Sequence, residues 1–233
     1  MKQVWTLARN ELLCETRAKQ IAPVMVVFAL SLVFLLTWAL PPGALRAPVP
    51  APVAGAAGAR EMAGTLMWTV VFFAAIAGFN RSAVAELGDT YEGLLLAPVD
   101  PAAVFAGKLA ANFVFITAAE AAIFPAFMLF AGASPASLLP GILPVALLAN
   151  LGLAAVGTLF TPASQHTPAR SVILPLLTFP LSLPVILGGA RLTSTLMIDG
   201  TYGTDARWFI LMAVFDIVFV TIGAATFEFV IEE

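Results

Sequence analysis

Two carboxylates stand where hydrocarbon would surround them: Glu120 in "NFVFITAAEAAIFPAF" and Asp216 in "FILMAVFDIVFV". An ionised acid at the bilayer midplane costs about 3 kcal/mol on insertion scales, so each is expected to face the protein interior and to be protonated, hydrogen-bonded or beside water. Neither has a cation at its own depth. Lys108 precedes Glu120 by twelve residues, roughly 18 Å along a helix. Thr117, one turn before Glu120, and Asn150, Thr158 and Ser182 are polar neighbours within reach of a helical bundle. Glu120 can serve as a neutral carboxyl joining helices or as a polar point in a moving interface. Proton relay is a third use, though no inverted repeat of the kind carriers show is visible.

A second group of acids lies between apolar runs. The stretch "AVAELGDTYEGLLLAPVDPAAVFAGK", residues 83–108, holds four of the fourteen carboxylates. At 100° per residue Val84, Leu87, Tyr91, Leu94 and Leu95 share one face, and Glu86, Asp89, Glu92 and Arg81 take the other. Pro98 and Pro101 end the helix near Leu96. The spacing thus predicts a short amphipathic helix over 83–96. It either lies at the membrane surface with solvated acids or docks a soluble protein, and its anionic polar face suits lipid headgroups poorly.

Other chemistries find little support. The lone His166 sits in the Pro-bracketed "TPASQHTPAR", and the lone Cys14 has no cysteine partner within the chain. Gly107 and Lys108 are followed by Leu109, without the upstream glycine and the Ser or Thr of a phosphate-binding loop. HExxH, GxSxG and CxxC are missing as well. The expectation is a chain with no catalytic residue, no metal site and no bound cofactor. Its 11 Lys and Arg are scattered, which argues against a nucleic-acid partner.

The elements that carry these residues are apolar runs. Hydrophobic residues make up 61% of the 233 and charged residues 11%, a membrane composition. About 20 residues cross the hydrocarbon core, and six runs qualify: 21–40, 62–79, 104–131, 138–160, 171–190 and 208–230. The first is longer than the apolar region of a secretory signal and is read as a retained helix. With the N-terminus inside, Lys2, Arg9, Arg17, Lys19, Arg81, Lys108 and Arg170 are cytoplasmic, and Arg46, Arg60, Arg191 and Arg207 are outside. Both termini and the 83–96 helix then face the cytoplasm. Residues 41–61, rich in Pro, Gly and Ala, read as an extended outer linker. Residues 191–207 read as an outer loop around an Asp-Gly turn. Pro175, Pro180 and Pro184 crowd the fifth span, which is expected to bend or break there and is a candidate hinge. The fold class is therefore an all-α integral membrane protein, a single transmembrane domain over 1–233.

A resemblance adds to this. "LLLAPVDPAAVFAGKLAAN" (94–112), with Glu86 and Glu92 upstream and "GLAAVGTLF" (152–160) and "ILPLLTFPLSLPVI" (173–186) downstream, resembles the haem exporter B-subunit family. The similarity covers nearly the whole chain. It implies a six-helix, ABC-2-like permease of the bacterial inner membrane, acting in haem delivery for c-type cytochrome maturation. It implies as partners a cytoplasmic ABC ATPase subunit, a second permease copy in a homodimer, a haem-handling membrane subunit and a haem chaperone. On that resemblance the 83–96 helix is the cytoplasmic coupling helix. Glu86, Leu87, Asp89, Tyr91, Glu92, Leu94 and Leu95 become the ATPase-coupling residues, ATP stays on the partner and haem is handled by the complex. An ABC-2 permease for a lipid or polysaccharide, or a proton-coupled carrier, is the alternative.

Overall fold

The structure is a computed structural model and describes residues 4–9, 12–13, 21–38, 40, 54–85, 100–131, 138–165 and 170–232. The long elements are α1 (Ile21–Thr37), α2 (Ala54–Ala85), α3 (Pro101–Ala131), α4 (Leu139–Gln165), α5 (Arg170–Asp199) and α6 (Arg207–Glu232). A 3₁₀ turn at Gly203–Ala206 precedes α6. No strand occurs among the described residues. In hydrocarbon every backbone polar group must be satisfied within the protein, and a helix does this within its own segment.

Among the described residues five helices are long and apolar enough to cross a membrane: Gly58–Asn80, Pro101–Phe130, Leu139–Pro162, Val172–Asp199 and Gly203–Phe227. The run expected over 21–40 appears as the shorter α1. α4 is the most enclosed of the spans and α6 the least. Around α4 stand α3, α5, α6 and α2, while α1 packs on α2 and α3. The outward faces carry Val27, Phe34, Leu176, Ile210 and Ile217, as lipid contact requires.

Two expectations about the outer side are overturned. The linker reading of 41–61 fails from Ala54 onward, because α2 begins there and Ala59 and Arg60 are buried. Alanine has the best helix propensity, and a run of it continues a helix that the flanking Pro and Gly composition conceals. The loop reading of 191–207 fails over 191–199, where α5 continues to Asp199, while the turn expected at Asp199–Gly200 is present, with φ of 76° at Gly200 and 50° at Gly203. The expected helix over 83–96 falls outside the described residues from 86 on, and residues 83–85 close α2. His166 and Cys14 lie outside them too.

α2 packs extensively against α5. Gly64 faces Ala190 and Ser194, and Gly189 lies under the Trp68 ring, so backbones meet where side chains are absent. Trp68 is fully buried, and its Nε1 donates to Thr193 Oγ1 at 3.0 Å. Trp68→Phe and Thr193→Val each remove this bond, so the double variant should cost less than the sum of the two. The expected coupling is about 0.6 kcal/mol, the mean for hydrogen bonds between membrane helices. Thermal unfolding of the four proteins in one detergent measures it, and strict additivity would mean the bond contributes nothing.

Candidate functional site

Apolar neighbours place the polar groups. On α3, Ile116, Ala119 and Ile123 are buried, and Glu120 shares their side of the helix, 4% exposed. On α4, Ala149, Leu153 and Ala154 are buried around a fully buried Asn150. Asn150 Nδ2 donates to Glu120 Oε2 at 2.6 Å and to Thr117 Oγ1 at 3.3 Å. Thr117 in turn donates to the Phe113 carbonyl at 2.7 Å. Eight residues away on both helices, Asn112 Nδ2 donates to Thr158 Oγ1 at 2.9 Å. The two helices are therefore antiparallel and joined at two depths by amide donors. Glu120 Oε1 and Asn150 Oδ1 have no hydrogen-bond partner among the described residues.

Asp216 sits elsewhere. It is 5% exposed on α6, its Oδ1 likewise has no partner among the described residues, and it lies against Gly152 of α4. A Cβ at residue 152 would come within 2.6 Å of that oxygen and 2.8 Å of Val185. Residues 150 and 152 are about 200° apart around a helix, so α4 stands between the two acids. Glu120 and Asp216 thus belong to different seams.

The three prolines of α5 do not interrupt it, and the helix is continuous from Arg170 to Asp199. Buried Thr178, between the first two, donates to the Leu174 carbonyl at 2.7 Å. Val185, directly after Pro184, is the residue that meets Gly152. The last proline therefore adjoins the seam that holds Asp216. The coupling residues expected at Glu86, Leu87, Asp89, Tyr91, Glu92, Leu94 and Leu95 all lie outside the described residues.

Sequence reasoning missed a polar clasp at the other end of α5. Arg191 Nε donates to Asp205 Oδ2 at 3.0 Å and Nη1 to Glu61 Oε1 at 3.2 Å. Thr195 Oγ1 also donates to Asp205 Oδ2, at 2.6 Å, and Ser194 Oγ to the Glu61 carbonyl at 3.2 Å. Tyr202 donates to the Gly141 carbonyl, and burial raises its phenol pKa above the ordinary value. The clasp joins α2, α4, α5 and the 3₁₀ turn. A signal for it existed: Glu61 and Arg191 are opposite charges expected on the same side of the membrane.

Chemically, this is an arrangement for holding helices and neutralising buried polarity. Among the described residues no three His, Cys, Asp or Glu side chains gather as a metal site would require. A cleft lined by Met25, Gly78, Phe79 and Asn112 has space for little more than a water molecule.

Comparison with known proteins gives one match. Residues 2–232 match the family described as CcmB protein. No curated protein and no solved structure matches the chain.

Proposed function

We propose a function from the premise that this chain belongs to the CcmB family: it is the membrane permease subunit of a haem exporter acting in c-type cytochrome maturation. The observation that carries the reading is the family match over residues 2–232, nearly the whole chain. A bundle with five helices long and apolar enough to cross a membrane supports it. So does a sequence without a phosphate-binding loop, which leaves ATP hydrolysis to a partner ATPase subunit.

In this reading the chain is a multi-pass protein of the bacterial inner membrane with both termini in the cytoplasm. It catalyses nothing itself. The ATPase docks on the segment over 83–96, through Leu87, Tyr91, Leu94 and Leu95 with Glu86, Asp89 and Glu92 around them. Nucleotide-driven movement of that segment is passed to the helices it joins, α2 and α3. A second permease copy, a haem-handling membrane subunit and a haem chaperone complete the complex. Pro175, Pro180 and Pro184 are the points at which α5 would yield, since each proline removes a backbone donor.

The experiment is a deletion strain complemented with affinity-tagged protein. Loss of c-type cytochromes on deletion, their return on complementation and co-purification of an ATPase subunit are expected. Normal cytochrome maturation in the deletion strain overturns the haem assignment, and purification with no ATPase overturns the ABC assignment.

A further inference from the structure

A count of hydrogens singles out the Glu120 cluster. Asn150 Nδ2 has two hydrogens, committed to Glu120 Oε2 and Thr117 Oγ1, and the Thr117 hydroxyl hydrogen is committed to the Phe113 carbonyl. Every donor in the cluster is used. Two buried acceptors remain, Glu120 Oε1 and Asn150 Oδ1. One more hydrogen, on Oε1, would supply the donor both oxygens lack.

We propose that Glu120 and Asn150 form a proton-binding site within the membrane, whose occupied state joins α3 to α4 as a carboxyl–carboxamide pair. In the binding step the Glu120 carboxylate takes a proton from hydronium, an O–H bond forms on Oε1 and water is left behind. The acid then donates to Asn150 Oδ1 while Asn150 Nδ2 donates back to Oε2. A carboxyl group and a carboxamide are both planar and both offer two adjacent polar atoms, so the two bonds close one ring.

Among the described residues no charge is seen to compete with the proton for this role. α1 and α4 carry no titratable residue. α3 adds only Lys108, twelve residues from Glu120. On the elements packed against α3 and α4, α2 has Arg60, Glu61 and Arg81, and α5 has Arg170, Arg191 and Asp199. On α6 the titratable groups are Arg207, Asp216, Glu228 and Glu232. Of these Glu61 is exposed and paired with Arg191, and Asp216 lies in the Gly152 seam on the other side of α4. An ionised Glu120 would leave a charge without a cation and two bare acceptors in apolar surroundings, a cost avoided by keeping the proton. The site does not depend on what the protein transports.

Infrared spectroscopy of the whole protein in lipid vesicles, with glutamate ¹³C-labelled at the side-chain carboxyl, tests this. At neutral pH the wild type should show the labelled carbonyl stretch of a protonated acid, and Glu120→Gln should lose it. In Asn150→Leu the band should move to higher frequency, because the hydrogen bonds to the acid are gone. A wild type whose labelled glutamates are all ionised at neutral pH overturns the proposal without recourse to any variant. A band that survives Glu120→Gln overturns the assignment, and one unmoved by Asn150→Leu overturns the pairing.

Discussion

With the ATPase docked on residues 83–96 as proposed, replacing Leu87 with Asp should detach it and lower c-type cytochrome maturation to the level of a deletion strain, while the permease stays in the membrane at normal abundance. At the spacing of a helix, the expected form of 83–96, Val84, Leu87, Tyr91, Leu94 and Leu95 would share one face, with Leu87 and Tyr91 one turn apart. An apolar anchor buried at the centre of an interface contributes about 2 kcal/mol or more, and a carboxylate in its place adds the cost of desolvating a charge. Each 1.4 kcal/mol is tenfold in affinity, so the expected loss exceeds roughly 30-fold. Glu86→Gln or Glu92→Gln, at the rim, should change the salt dependence of association far more than its strength. Co-purification of the ATPase with the tagged permease, read beside cytochrome content, is the measurement. Normal binding with Leu87→Asp removes the segment as the docking site. Loss of the permease itself instead points to a helix lying on the membrane.

Gly64→Val should be the most damaging single change inside the bundle. A Cβ at residue 64 would stand 2.2 Å from Ser194 Oγ, 2.8 Å from the Ala190 carbonyl oxygen and 3.1 Å from the Ser194 nitrogen. The hydroxyl can rotate away. The two backbone atoms cannot, so α2 and α5 must separate, and Trp68 next along the seam loses its fit over Gly189. Overpacking of this kind costs about 1–3 kcal/mol for the first added carbon, and Val adds two more. Gly64→Ala should therefore lower the unfolding temperature in detergent, and Gly64→Val should leave little folded protein. Gly58→Ala is the control on the same helix: nothing lies within 4 Å of a Cβ there, and alanine favours helix by about 1 kcal/mol over glycine. Equal behaviour of the variants at 58 and 64 would show that the seam is not close-packed.

What could be read from the sequence followed what lipid selects. Apolar runs located the five long helices to within several residues at their apolar cores, because hydropathy reports contact with hydrocarbon. It does not report where a helix ends once it leaves the bilayer. Residues 54–61 and 191–199 are helical all the same, held by backbone bonds and by partners such as Asp205 for Arg191. Asn150 could be named beforehand as a neighbour for Glu120, since few polar groups exist within the spans. Which atoms meet depends on how α3 and α4 are set against each other, and periodicity on one helix carries no information about that. The Trp68 bond to Thr193 joins residues 125 positions apart and was invisible for the same reason.

The two amide-donated hydrogen bonds between α3 and α4 act as a ruler. Asn112 pairs with Thr158 and Asn150 with Glu120, eight residues apart on each helix, about 12 Å of rise. A slide of one turn would break both together and strand four polar groups in hydrocarbon. Shear between these helices is thereby disfavoured, and the pair travels as a single lever. Relative movement of helices is left to seams without such rungs, such as the one where α6 rests on Gly152.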